Sequence, residues 1–132
     1  MANDSNIKKK VLMIDDDEVH LSIAETVLKD DYDVFKTTSG DEALGYLYNK
    51  KIAPDIILID VLMPEMDGWE VYRRIRSINV YKSTPVVFLT SVDEESEKQR
   101  ARAIGAVDYI TKPYNKSFLK KTIDKIMEVR SH

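Results

Sequence analysis

Apolar residues along the chain fall into two kinds of pattern. Val11-Leu-Met-Ile14 and Asp55-Ile-Ile-Leu-Ile-Asp60 are continuous runs, the first followed by acid and the second ending in it, and Pro85-Val-Val-Phe-Leu-Thr90 is a third run that ends in a hydroxyl. Strands apolar on both faces belong in a parallel sheet covered on both sides. Two less apolar stretches, Asp33 to Thr37 and Val107 to Ile110, complete a set of five strands. Between them the spacing is helical: Val19, Ile23 and Val27 with Ala24 and Leu28; Ala43, Leu44 and Leu47; Val71 and Ile75; and Phe118, Leu119, Ile123, Ile126 and Met127. Ser39-Gly-Asp-Glu42 and Asp67-Gly-Trp-Glu70 each place a capping residue three positions before a glutamate, as helix starts do. A fifth helix over Asp93 to Ile104 offers only Ala101 and Ile104 as an apolar stripe, with Gly105 placed to end it. It is expected to be the loosest element. The order is β-α repeated five times, which predicts an α/β fold with a doubly wound, five-stranded parallel sheet and five helices.

Length and composition keep that picture simple. At 132 residues, 43% hydrophobic and 33% charged, the chain reads as one globular domain with a core of its own. Met1 to Asn6 is polar and unpatterned and is expected to be a frayed, disordered tail, which starts the domain at residue 7 and carries it to residue 132. The chain has no cysteine, so neither a disulfide framework nor a thiolate metal site is available, and no early segment has the form of a signal peptide. A cytoplasmic location is the expectation. The longest unbroken apolar runs, Val11 to Ile14, Ile56 to Ile59 and, with its proline counted, Pro85 to Leu89, fall far short of the ~20 residues of a bilayer span. With a net charge of −3 no global field draws nucleic acid, and Lys8-Lys-Lys10 reads as a solvated strand entry. Neither nucleic acid nor membrane is an expected partner.

In doubly wound sheets ligands bind beyond the carboxyl ends of the strands, near the point where strand order reverses. At those ends stand Asp15-Asp16-Asp17-Glu18, Asp60, Thr90-Ser91 and Lys112-Pro113. If the first and third strands are neighbours, Asp15, Asp16 and Asp60 converge, and like charges that close need a cation to stay ionised together. Carboxylate oxygens without His or Cys favour magnesium or calcium over zinc, and a few carboxylates with room for water and phosphate oxygen suit magnesium. Acids at strand ends also cap the following helix, and Asp17 is read that way; for Asp15 with Asp16 taken alone, capping and metal binding both remain open. Pro113 stops the last strand and aims Lys112 out of the sheet edge, where a fixed ammonium beside acids suggests anion binding. His20 and Trp69 read as a surface residue and a packing residue.

Taken together, Lys10 to Asp16 (KVLMIDD), Pro54 to Gly68 (PDIILIDVLMPEMDG), Pro85 to Ser91 (PVVFLTS) and Gly105 to Tyr114 (GAVDYITKPY) closely resemble the receiver domain of response regulators, in that family's order and spacing. The resemblance spans Lys10 to about Arg130 and implies the flavodoxin-like strand order 2-1-3-4-5. By it Asp60 is the phosphoryl acceptor. Asp16 and Asp60 bind Mg2+ directly, Asp15 helps through water, and the backbone carbonyl of Leu62 adds a ligand. Thr90 hydrogen-bonds one phosphoryl oxygen, Lys112 pairs with another, and Lys112-Pro113 is a cis peptide, an isomer that X-Pro bonds tolerate.

The resemblance further implies a phosphorylation-dependent switch of a two-component system, not a conventional enzyme. Its donor is a sensor histidine kinase or histidine phosphotransfer protein. On phosphorylation Thr90 moves to the phosphate and Tyr109 turns inward, shifting the face made by the fourth helix, fifth strand and fifth helix, where a downstream protein docks. Leu62 and Val92, two residues after the acceptor and the threonine, cannot orient a hydrolytic water, so slow dephosphorylation is expected. Val107 stands where many DNA-binding regulators carry an aspartate that supports dimer salt bridges, which puts a dimer of that type in doubt. A haloacid-dehalogenase-type phosphatase would need an inserted cap and a longer chain, and a flavodoxin's phosphate loop would not carry Asp15 to Glu18. A receiver cut from a larger regulator or hybrid kinase, and a phosphate-independent binding module, remain the alternatives; as a complete chain it would act by binding protein.

Overall fold

The computed structural model describes residues 7–130, so the expected tail over Met1 to Asn6 lies outside the described residues. In chain order the elements are β1 (Lys9–Ile14), α1 (Glu18–Leu28), β2 (Tyr32–Thr37), α2 (Gly40–Tyr48), β3 (Ile56–Ile59), α3 (Gly68–Arg76), a 3-10 turn at Asn79–Tyr81, β4 (Val86–Thr90), α4 (Glu95–Ile104), β5 (Asp108–Thr111) and α5 (Lys116–Arg130). The strands form one parallel sheet in the order β2-β1-β3-β4-β5. The strand order reverses at β1, which places the ends of β1 and β3 side by side.

The apolar runs become strands because alternate side chains feed two cores. Leu12, Ile14, Ile57, Ile59, Val86 and Phe88 pack with Ala43, Leu47, Val71 and Ile75 of α2 and α3. Val11, Met13, Ile56, Leu58, Val87 and Leu89 pack with Leu21, Ala24 and Leu28 of α1 and Leu119, Ile123 and Met127 of α5. With the interior strands apolar on both faces, hydrophilic side chains gather where the strands stop. Helix starts are held as the capping pattern predicts at one end only. Ser39 Oγ accepts the Glu42 amide at 3.1 Å and Asp67 Oδ1 accepts the Glu70 amide at 3.0 Å. The reciprocal half is absent from both: Glu42 turns to the Thr38 amide at 2.8 Å, and Glu70 turns to Arg73 and Arg74.

Three expectations need correction. The stripe Val19-Ile23-Val27 is not the buried face of α1: Val19 is 65% and Ile23 40% exposed, and the sheet takes Leu21, Ala24 and Leu28 instead. The helix carries two apolar stripes, and the one with a small residue at its centre lets the axis approach the sheet. Phe118, 53% exposed, likewise lies off the buried face of α5. Helix α4 starts two residues later than expected, at Glu95, because the backbone is still extended at Glu94, which stands at the N-cap without a side-chain capping bond. That helix buries Ala101, leaves Ile104 exposed, and ends as predicted at Gly105, whose φ of 97° permits the Ala106 amide to reach back to Ala101 O at 3.0 Å.

The loop from β3 to α3 folds back tightly, with the Gly68 amide on Val61 O at 2.8 Å. A β-carbon at Gly68 would collide with the carbonyl oxygen of Asp60 and stand 2.8 Å from the Val61 α-carbon, both backbone atoms unable to yield cheaply. Gly68→Ala is therefore expected to lower stability by about 1–3 kcal/mol, the usual cost of overpacking, read as a lower urea midpoint at unchanged slope; an unchanged midpoint would show that the loop relaxes freely.

Candidate functional site at the carboxyl edge of the sheet

Parallel pairing builds this site. Ile14 pairs with Ile59, and the Asp60 amide donates to Ile14 O at 3.0 Å, so Asp15 and Asp60 leave adjacent strands at the same level. Thr90 closes β4, and the Lys112 amide donates to Thr90 O at 2.8 Å, which carries Lys112 to the same edge. The Lys112-Pro113 bond is cis. All four strand-end residues named from the sequence thus lie on one edge.

Asp15 and Asp60 are both buried, and the ammonium of Lys112, its side chain only 8% exposed, lies 2.5 Å from Asp15 Oδ2 and 3.3 Å from Asp60 Oδ2. The other oxygens hold the loops: Asp15 Oδ1 accepts the Asp17 amide at 2.9 Å, and Asp60 Oδ1 accepts the Leu62 amide at 3.2 Å. Burial pushes the Asp15 carboxyl above its usual range; the hydrogen bonds from Lys112 and the Asp17 backbone oppose that rise, and the neighbouring Asp60 charge adds to it. Asp17 caps α1, accepting the Val19 amide at 2.9 Å, as expected. Asp16 is exposed and lies outside the Asp15–Asp60 group, and Leu62 meets Asp60 through its amide.

His20 is the residue that the sequence reading missed. Its side chain is 39% exposed, but its Nδ1 is 2.8 Å from Lys112 Nζ and 3.6 Å from Asp15 Oδ2. Ligand atoms of Asp15, His20 and Asp60 lie within 4.8 Å of one another. The signal was its place three residues after the Asp17 cap, which sets it one turn above the strand end. Two buried carboxylates from neighbouring strands, flanked by exposed Asp16, are a donor set that suits a hard divalent cation.

The threonine and tyrosine also meet here. Thr90 is fully buried and its Oγ1 accepts the Val92 amide at 3.3 Å. The Tyr109 hydroxyl donates to Val92 O at 2.6 Å, and its ring lies 6.2 Å from that of Phe88. Burial, with the charges of Glu97 and Asp93 behind it, pushes the Tyr109 phenol up to about 12, so it remains a donor at neutral pH. Trp69 is the packing residue expected, 4.6 Å from the Phe88 ring and covered by the Arg100 guanidinium at 4.3 Å. Beside Lys112 a cleft of about 420 Å³ is lined by His20, Ile23, Ser91, Pro113, Tyr114 and Lys116.

Comparison with known proteins bears on the family and the fold. The family model described as the response regulator receiver domain matches residues 11–124. The chain is 37% identical over 111 residues to protein PilG of Pseudomonas aeruginosa, covering 83% of this chain and 81% of that protein. It is 36% identical over 110 residues to the alkaline phosphatase synthesis transcriptional regulatory protein PhoP of Bacillus subtilis, but spans only 44% of that protein's length. The solved structure of Vibrio cholerae chemotaxis protein CheY4 is similar with a TM-score of 0.82 and 34% identity, over 90% of this chain and 98% of that one.

Because the folded protein holds the Asp15 carboxyl above its ordinary range, the stability it contributes is full below that ordinary range and is lost as pH rises through the elevated value. Asp15→Asn keeps the shape and an acceptor for Lys112 without the buried charge. Its urea midpoint is expected above wild type near about pH 7, with the advantage shrinking toward about pH 4; a lower midpoint at neutral pH would mean that the ion pair outweighs the burial cost.

Proposed function

The chain belongs to the response regulator receiver domain family, and on that premise we propose that it is a phosphorylation-dependent signalling switch that accepts a phosphoryl group on Asp60, with Mg2+ held beside it. The observation that carries the reading is the Lys112 ammonium shared between Asp15 and Asp60 at the carboxyl edge of the sheet. An anionic nucleophile and an anionic phosphoryl group repel each other, and a cation fixed between them offsets that repulsion without reorganising. Asp15, Asp16 and Asp60, with the Leu62 carbonyl, are the residues we assign to the metal, which when bound would supply further neutralisation of phosphoryl charge.

In the proposed step a carboxylate oxygen of Asp60 attacks phosphorus of a phosphohistidine on a sensor kinase or phosphotransfer protein. The new O–P bond forms as the P–N bond breaks, its electron pair staying on the donor's imidazole, which takes a proton from solvent. Lys112 then pairs with one phosphoryl oxygen and the Thr90 hydroxyl with another. Thr90 can do this by giving up its contact with the Val92 amide, and Tyr109, bonded to Val92 O, is the side chain next in line to respond. The thin anchorage of α4 supports a readout through α4, β5 and α5. A groove of about 570 Å³ between β5 and α5, lined by Val107, Phe118, Ile126 and Val129 with Lys121 and Lys125, supports docking of a downstream protein on that face. Among the described residues no helix is long and apolar enough to cross a membrane.

Incubation with acetyl phosphate and Mg2+ is expected to add one phosphoryl group by mass spectrometry, absent from Asp60→Asn and from a sample with the metal chelated; no gain in wild type, with a phosphohistidine donor also failing, would leave a phosphate-independent binding module. The phosphorylated protein is further expected to keep its group for many minutes, since the Leu62 and Val92 side chains offer no hydrogen bond to an attacking water. Complete release within seconds without a phosphatase would overturn that lifetime.

A further inference from the structure

His20 has no part in the chemistry just described, yet it touches the cation at its centre. We propose that His20 is a positioning residue for Lys112: its neutral imidazole accepts one N–H bond of the ammonium and holds that charge toward Asp60 without cancelling it. The proposal rests on the phosphorylation reading above and assigns it a further residue.

Three acceptors face the ammonium of Lys112: Asp15 Oδ2 at 2.5 Å, His20 Nδ1 at 2.8 Å and Asp60 Oδ2 at 3.3 Å. An ammonium has three N–H bonds and no lone pair, so all three are committed and Nδ1 faces Lys112 as an acceptor. The ring proton therefore sits on Nε2, and Asp17 Oδ2 stands 3.5 Å from that nitrogen. Asp17 is itself fixed, because its Oδ1 accepts the Val19 and His20 amides at 2.9 and 3.4 Å. The first turn of α1 thus orients the imidazole, and the imidazole orients the ammonium.

The choice of a neutral acceptor has a consequence for transfer. A carboxylate in this place would add a third negative charge and neutralise Lys112, while an apolar side chain would leave one N–H bond free to settle elsewhere. With His20 present, an incoming phosphoryl oxygen need replace only the longest contact, that to Asp60, while the two shorter ones hold the ammonium in place. Orientation prepared in this way reduces the entropy lost on reaching the transition state. The half-exposed ring can be replaced without opening the core.

The test compares wild type with His20→Leu, which removes the acceptor, and His20→Gln, which keeps one. Phosphorylation by acetyl phosphate with Mg2+ is expected to slow about tenfold in H20L, the scale of one hydrogen bond to a charged group, and to stay within about threefold of wild type in H20Q. Without any phosphodonor, the slowly exchanging Lys112 ammonium signal in heteronuclear NMR is expected in wild type and H20Q and lost from H20L. Equal rates in the two variants, whether unchanged or equally slowed, overturn the proposal, as does an ammonium signal that H20L leaves unaltered. If wild type gains no phosphate while H20L still loses the signal, the phosphorylation reading falls and the tether stands. If wild type and H20L gain phosphate alike and share the signal, the tether falls and the phosphorylation reading stands.

Discussion

Two carboxylates at the ends of adjacent parallel strands, both largely withdrawn from water, set the terms for the rest of the molecule. The pairing of Ile14 with Ile59 leaves Asp15 and Asp60 no freedom to separate, because moving either would break ladder hydrogen bonds between strands buried on both faces. Two like charges held this close repel each other. The sheet answers with Lys112, brought from β5 past β4 to the same edge, and the ammonium then becomes the group through which the acids, the imidazole of His20 and the strand ends are connected. The cost is visible in the raised protonation of Asp15, and it is carried by the two cores on either side of the sheet. An added phosphoryl charge would enter the contacts of this same ammonium.

How much of this could be read from the sequence depended on the period of each signal. Continuous apolar runs such as Ile56 to Ile59 have one stable placement, buried between two helical layers, so strand identity and parallel order followed directly. Strand ends followed too, because the polar residue that terminates a fully buried strand can only sit at its edge; Asp60, Thr90 and Lys112 were legible for that reason. Helix faces were less so. Helix α1 offers two stripes of similar hydrophobicity, and nothing local decides whether Val19 or Leu21 meets the sheet. His20 was missed for the same reason, since its reach to Lys112 depends on the rotation of α1 about its axis, a quantity set by packing against α5 and the sheet. The reverse case is α4, whose meagre apolar pattern predicted its thin burial well.

The two sides of the sheet differ in how firmly they are tied, and that difference bears on where a change at Asp60 can travel. On one side α5 is bound to the β2 end of the fold: Tyr32 donates to Asp124 at 2.5 Å, and Lys120 bridges Asp31 at 2.9 Å and Asp124 at 2.7 Å. On the other side α4 hangs on Ala101, on the Tyr72 hydroxyl at Ile104 O, and on Arg100 lying over Trp69. The route between pocket and α4 is short and aromatic, running from Val92 through Tyr109 to Phe88 and on to Trp69. A shift of Thr90 that disturbs Val92 therefore meets the packed and ion-paired side of α1 and α5 in one direction and the sparsely buried α4 in the other. Mechanical response goes to the element that costs least to move, so under the proposed chemistry α4, which buries fewer residues than the other described helices, is the one that reports the state of Asp60.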